Sequence, residues 1–184
     1  MTLYIVAGAN GSGKTTFAKI FSKQNNFYFI NADEIAKELD SENITKYKFK
    51  AGKIFFEEFD AKLLLCKSFV IETTLSGKYL VKYIDKAKVL NYKVVLIYLF
   101  LEEPLRNVDR VKNRVLNGGH HIPKEDIIRR FYRSKNLFCT LYKDMVSSWI
   151  IYYNSDEAFE KVADNNKVLD KEKYNKFKKD TKCQ

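Results

Sequence analysis

Residues 3–16 read LYIVAGANGSGKTT. Leu3 to Ala7 has the apolar character of a strand. The octet that follows, Gly8-Ala9-Asn10-Gly11-Ser12-Gly13-Lys14-Thr15, fills every fixed position of the P-loop pattern G-x-x-x-x-G-K-[ST]. Gly8, Gly11 and Gly13 carry no Cβ and can take positive φ, so successive backbone N–H groups can turn inward around a phosphate. A helical pattern from Lys14 to about Ser22 adds unpaired N–H groups and the positive end of a helix dipole at the same spot. Lys14 then meets the β- and γ-phosphate oxygens as a point charge, Thr15 offers a hydroxyl to Mg²⁺, and Thr16 completes the turn. The expected ligand is a nucleoside triphosphate, ATP or GTP, with Mg²⁺ as cofactor. The motif leaves the phosphate acceptor open.

The chain has 184 residues, enough for one domain with a core that needs no disulfides. We expect a single domain over 1–184. The longest apolar stretch, Val94 to Leu101, has the length of a buried strand and falls well short of the ~18 residues of a membrane span. The N-terminus enters the first strand within three residues and lacks the basic region and cleavage site of a signal peptide, which predicts a cytoplasmic location and no membrane partner. Cys66, Cys139 and Cys183 show no metal-ligand spacing and read as reduced thiols, the first two in the core. The net charge of +10 favours polyanions. Six lysines fall in the terminal stretch KEKYNKFKKDTKCQ, which reads equally well as a solvated tail.

Further along the chain, Phe27 to Ile30 is a short aromatic strand, followed by a helix that Asn31 or Asp33 can cap. Phe49, Phe56, Phe59, Leu63 and Cys66 fit one face of a helix from about Tyr47 to Cys66. Ser68 to Ile71 is a strand ending at Glu72-Thr73-Thr74, and Gly77 to Leu90 is the next helix. Lys93 to Leu101 reads as a strand buried on both faces. A helix opens at Glu103-Pro104 and stops at Asn117-Gly118-Gly119, and a long one runs from Lys124 to Met145. Trp149 to Tyr153 is a strand ending at Asn154-Ser155; Phe159 to Ala163 and Lys167 to Leu169 read as a hairpin before a short terminal helix. Strands alternating with helices predict an α/β fold, a P-loop NTPase with a mainly parallel central sheet flanked by helices.

In such a sheet ligands bind beyond the carboxyl ends of the strands. The polar groups there include Asn31, Asp33, Glu72 and Thr74. Phosphoryl transfer requires charge neutralisation, alignment and a base near the acceptor hydroxyl. Asp33 is the candidate base. Glu72 is a candidate ligand of the Mg²⁺ shell, an acceptor of a substrate hydrogen bond or a solvated strand end. In the helix after Pro104, Leu105, Val108, Val111 and Val115 share one side, with Arg106, Arg110 and Arg114 about 160° away. In the next helix Ile128, Phe131, Phe138 and Met145 mark the buried side, Arg129 and Arg133 lie opposite and Arg130 at the edge. Joined by Gly118-Gly119, these helices form a lid over about 104–133 that brings guanidinium groups to the transferring phosphate. Among these, Arg110 and Arg114 are the catalytic candidates, and Arg129 and Arg130 the nucleotide-binding ones. His120 and His121 have no third ligand at metal spacing. His120 is a candidate substrate contact or a loop-packing residue.

The run of motifs resembles the zeta toxin family of P-loop kinases, in particular its short single-domain bacterial members. The matching pieces are GANGSGKTT at 8–16, NADEIA at 31–36, ETTLSG at 72–77, RVKNRVLNGGHHIP at 110–123 followed by IIRR, and YNS closing a late strand. The resemblance implies a nucleoside-kinase-like fold and transfer of the γ-phosphate of ATP or GTP to a hydroxyl of a small molecule. Better-characterised members phosphorylate UDP-N-acetylglucosamine and are restrained by a protein antitoxin. It further implies that Lys14 and Thr15 bind phosphate and Mg²⁺, that Asp33 is the general base, and that Glu72 and Thr74, with Asn31 and Ser76 beside them, face the substrate. Arg110 and Arg114, with Arg129 or Arg130, would contact nucleotide phosphates. One departure stands out. Where members acting on the UDP-sugar have Gly-Thr-Gly-Arg after the strand-end glutamate, this chain has Thr73-Thr74-Leu75-Ser76, and Lys78 is the residue placed to compensate for the arginine. Two further readings stand beside this one. The positive charge suits a polynucleotide kinase or nucleic-acid-dependent ATPase. A nucleotide switch is the other, although Asn166-Lys167-Val168-Leu169 lacks the final aspartate of a guanine signature.

Overall fold

A computed structural model describes residues 1–40, 44–155, 158–179 and 181, side chains at 44 and 45 excepted. Cys183 and the last part of the lysine-rich tail lie outside the described residues. Strand β1 (Thr2–Ala7) sits at the centre of a six-stranded sheet with β2 (Tyr28–Ile30), β3 (Phe69–Thr73), β4 (Lys93–Phe100), β5 (Ser148–Asn154) and β6 (Phe159–Asp164) in the order β2-β3-β1-β4-β5-β6. The first five run parallel and β6 is antiparallel to β5. The expected mainly parallel sheet is present. Parallel neighbours require helical crossovers, and these are α1 (Lys14–Asn25), α2 (Ala32–Leu39), α3 (Ile44–Leu64), α4 (Val81–Val89), α5 (Pro104–Leu116) and α6 (Lys124–Leu137). After α6 come a π-helical turn (Phe138–Tyr142) and the short α7 (Lys143–Met145), and α8 (Lys171–Lys178) closes the described chain.

Alternation along the strands builds two cores. Leu3, Ile5 and Ala7 of β1, with Leu96, Tyr98 and Phe100 of β4, face a large aromatic core completed by Phe55, Phe59, Phe138 and Phe177. Val6, Ile97 and Leu99 face the other way, onto Ala18, Phe17 and Phe21 of α1. Both faces of the central strands are covered, which is why β4 reads as an unbroken apolar run.

Several sequence expectations shift in the structure. The aromatic stripe of α3 is Ala51, Phe55, Phe59 and Leu63, four apart; Phe49 lies about 160° from Ala51 on the wheel and is 91% exposed. Cys66 is an exposed free thiol, beyond the end of α3 with φ 52°. Cys139 is buried and disulfide-bonded, against the expected reduced thiol. Ile127 is the fully buried isoleucine of α6, and Ile128 packs half-buried against the same small cluster. The expected single helix to Met145 is interrupted by the π turn, which leaves Tyr142 buried and its hydroxyl donating to Gly77 O at 2.5 Å. The expected hairpin at 159–169 is reduced to one bridge, Ala163 to Val168, because β6 takes its partner from β5 instead. β3 continues to Thr73, so Glu72 stands inside the sheet, flanked by Val6 of β1.

Candidate active site

The loop between β1 and α1 is wedged against three elements. Gly13 (φ 89°) is the N-cap of α1, and a Cβ there would collide with the Asn154 amide at the end of β5; one on Gly11 (φ 80°) would meet the carbonyl of Asn107 in α5. Only glycine allows that approach at positive φ. Asn107, fully buried, donates to Asn10 O at 2.7 Å, and Asn154 donates to Ser12 O at 2.9 Å. Arg130 of α6 reaches Asn10 Oδ1 at 3.1 Å, and Lys14 Nζ donates to Ala9 O at 2.8 Å. The loop is thus held by side chains about a hundred residues distant before any ligand arrives.

Beside it, Glu72 is the hub of a polar cluster. Thr15 Oγ1 donates to Glu72 Oε1 at 3.1 Å, Asn31 Nδ2 donates to Oε2 at 2.5 Å, and Lys14 Nζ lies 3.9 Å from Oε1. Burial pushes the Glu72 carboxyl above the usual carboxylate range, against the pull of Lys14 and Thr15, and burial likewise lowers the Lys14 ammonium. Among the described residues no three His, Cys, Asp or Glu side chains gather as a metal cage. Mg²⁺ takes one or two protein oxygens and completes its shell from phosphates and water; Thr15 and Glu72 present such oxygens side by side.

Asn31 resolves the capping alternative. Its Oδ1 accepts from Asp33 N at 2.7 Å and Glu34 N at 3.2 Å, so Asn31 is the N-cap of α2. The Asp33 carboxylate is left exposed, with no hydrogen-bond or ion-pair partner among the described residues. It lines a cavity of about 440 Å³ together with Asn10, Gly11, Gly13, Lys14, Thr15, Thr16, Asn31 and Glu72. Thr74 and Ser76, mutually hydrogen-bonded at 2.9 Å, face the same space, as do Arg110, Arg114, Arg130 and His120.

Five sequence candidates are not on that wall. Gly8, Ala9 and Ser12 form the back of the loop, and Ser12 Oγ is buried without a hydrogen-bond partner among the described residues. Arg129 points away from the cavity and pairs with Asp126 at 2.9 Å on the surface of α6. Lys78 is exposed and off the wall as well. Arg114 donates to His120 O at 3.0 Å, bracing the turn after α5. Burial, with Lys48 nearby, keeps His120 below the ordinary histidine range, and its Nε2 is buried without a partner among the described residues.

Sequence reasoning missed Asn107, Tyr79 and Lys48. An asparagine beside the valine stripe of α5 was the available signal for Asn107. Tyr79, hydrogen-bonded to Thr73 Oγ1 at 2.6 Å, and Lys48 of α3 reach the cavity only through the tertiary fold. A second cavity, of about 630 Å³, opens on the other side of Gly13 between Ile20, Asn154, Ser155 and Phe159, and Arg110 lines both.

An uncharacterized protein of Haemophilus influenzae is 32% identical over 125 residues, 68% of this chain and 88% of its own. The structure of the PezAT chromosomal toxin-antitoxin system of Streptococcus pneumoniae superposes with TM-score 0.69 at 21% identity, over 91% of this chain and 73% of that one. The AvrRxo1-ORF1:AvrRxo1-ORF2 structure with ATP gives TM-score 0.72 at 17% identity, over 96% of this chain and 63% of that one. At those identities the two structures speak for the fold, that of the P-loop kinases. The model of the family described as Zeta toxin matches residues 2–169, and the chain belongs to that family.

Proposed function

We propose that the protein is a kinase that moves the γ-phosphate of ATP or GTP to a hydroxyl of a small metabolite, with Asp33 as general base. The observation that carries this reading is the unpartnered Asp33 carboxylate on the same cavity wall as Lys14. Asn31 having taken the capping role, nothing structural occupies Asp33. In the step, the acceptor oxygen attacks the γ-phosphorus and its proton passes to Asp33. The bond to the β,γ-bridging oxygen breaks, and its electron pair leaves with the nucleoside diphosphate. Lys14, Arg110, Arg114 and Arg130 neutralise the phosphoryl oxygens, and Arg130 does so from a position already fixed on Asn10. Thr15 and Glu72 would hold Mg²⁺, which supplies further charge neutralisation. The nucleoside lies in the cavity lined by Ile20, Ser155 and Phe159, so that Arg110 spans nucleoside and phosphate. Residues 104–133 act as the lid, with Thr74, Ser76 and His120 toward the acceptor.

Incubation with γ-labelled ATP or GTP and a metabolite extract, with UDP-N-acetylglucosamine as one defined arm, tests the reading. A labelled organic product that disappears in Asp33→Asn is expected; label appearing only in inorganic phosphate overturns it. We further infer a toxin restrained by a protein antitoxin, so that induced expression arrests bacterial growth and Lys14→Ala does not. A second reading rests on the exposed Lys46, Lys50 and Phe49 of α3, a basic and aromatic surface of the kind that binds single strands. It requires that oligonucleotides raise ATP turnover and that salt abolish the effect.

A further inference from the structure

The cations around the large cavity come from two directions. Lys14 belongs to the phosphate loop, and Arg110, Arg114 and Arg130 descend from α5 and α6 on the β4–β5 side of the sheet. Lys48 arrives from the opposite side, on α3, which packs along β2 at the sheet edge. The two sides meet at the mouth, where Lys48 and Asp33 both act on His120. Asp33 lines the same cavity as both the phosphate loop and His120, and Lys48 enters it from the α3 side, opposite the lid arginines.

At that outer end the valences are open. Lys48 has no ion-pair or hydrogen-bond partner among the described residues, and His120 Nε2 is buried without one. Five cationic side chains and two carboxylates line the whole cavity. The phosphates of the donor need the four cations of the loop and lid; they leave Lys48 uncompensated. A neutral acceptor could hydrogen-bond to Lys48 and His120 Nε2 but would leave the Lys48 charge without a counter-ion.

We propose that the acceptor carries an oxyanion group of its own, a phosphate ester or a carboxylate, held between Lys48 and His120, with Lys48 the residue that selects for it. This deepens the kinase reading and rests on it. Thr74 and Ser76 face the hydroxylated body of such a molecule, and Ile122 supplies an apolar patch beneath it.

The test uses the full chain saturated with Mg²⁺ and a non-hydrolysable ATP analogue, so that added anions cannot enter the phosphate loop. Acylation of individual lysines is followed by mass spectrometry while inorganic phosphate, or separately acetate, is titrated in. Protection of Lys48, with the exposed Lys46 and Lys50 of the same helix unchanged, is the expected result. Protection by phosphate alone assigns a phosphate ester, and by acetate alone a carboxylate. Protection of none of the three, or of all three equally, overturns the proposal. Failure of the analogue itself to bind sinks the kinase reading first, which separates the two outcomes. In Lys48→Gln the affinity for the protecting anion, read from the His120 ring resonances, drops about tenfold, the worth of one charge-assisted hydrogen bond. Lys48→Arg restores it, whereas a Lys48 of purely structural importance would show no such rescue.

Discussion

At the phosphate end of the cavity nearly every polar group is already engaged: Lys14 with Ala9 O, Thr15 and Asn31 with Glu72, and Asn10 with both Asn107 and Arg130. At the outer end Asp33, Lys48 and His120 Nε2 have no hydrogen-bond partner among the described residues. On the kinase reading the first region receives the same triphosphate at every turnover, and donors fixed in advance need no reorganisation as charge develops. On that reading the second keeps its valences for the acceptor, and bound groups left unpaired by the wrong molecule are what produce discrimination.

The contrast predicts graded effects. Lys14→Ala removes the point charge on the phosphates and leaves Glu72 buried without its cation. A loss on the order of 10³-fold in kcat is expected, measured by label transfer; retention of activity within tenfold would break the assignment of the phosphate end. Asp33→Asn belongs to the outer end and separates chemistry from binding: kcat falls about 10²–10⁴-fold while affinity for the ATP analogue, by calorimetry, is nearly kept. Equal losses in both would mean that Asp33 serves the loop rather than the acceptor.

Stability tests sharpen the same division. Gly13→Ala places a Cβ against Asn154 at φ 89°, at a cost on the order of 2–4 kcal/mol from left-handed strain and overpacking. The melting temperature should drop by roughly 2–4 °C per kcal/mol for a chain of this size, and Gly118→Ala, with open space at φ 79°, by less. Tyr142→Phe removes the hydroxyl that braces Gly77 beneath the 74–79 loop, a loss of about 1 kcal/mol. With this loop placed toward the acceptor on the kinase reading, KM for the acceptor should rise while nucleotide affinity stays constant; a change confined to nucleotide affinity contradicts that placement.

The smallest effect concerns His120. Burial and the Lys48 charge hold its imidazolium below the ordinary 6.5, so the folded protein carries a neutral ring at pH 7. The unfolded chain binds the proton first as pH falls through 6.5, and stability is lost from there down to the folded-state value. Replacing Lys48 by Gln removes a repelling charge and moves the His120 titration upward, as read by NMR. A downward shift would place Lys48 elsewhere.

Much of this was legible in the chain. The octet at 8–15 with its flanking strand pointed to a phosphate-binding loop, and alternation of apolar strands with helices predicted the parallel sheet that is present. Both follow from local physics, φ freedom at glycine and burial on two faces of a strand. Glu72 and Asp33 could be found as acids at strand ends, since parallel strands bring those ends to one edge. The lid arginines could be listed but not ranked, because a helical wheel is blind to what lies opposite. Arg130 reaches Asn10, while Arg129, one residue earlier, turns to Asp126. Asn31 against Asp33 as cap, the π turn that seats Tyr142, and Lys48 entering from α3 were decided by tertiary packing alone. A cap depends on which oxygen the folded backbone presents to free N–H groups, and a lysine among many acquires meaning only when distant helices close on one cavity.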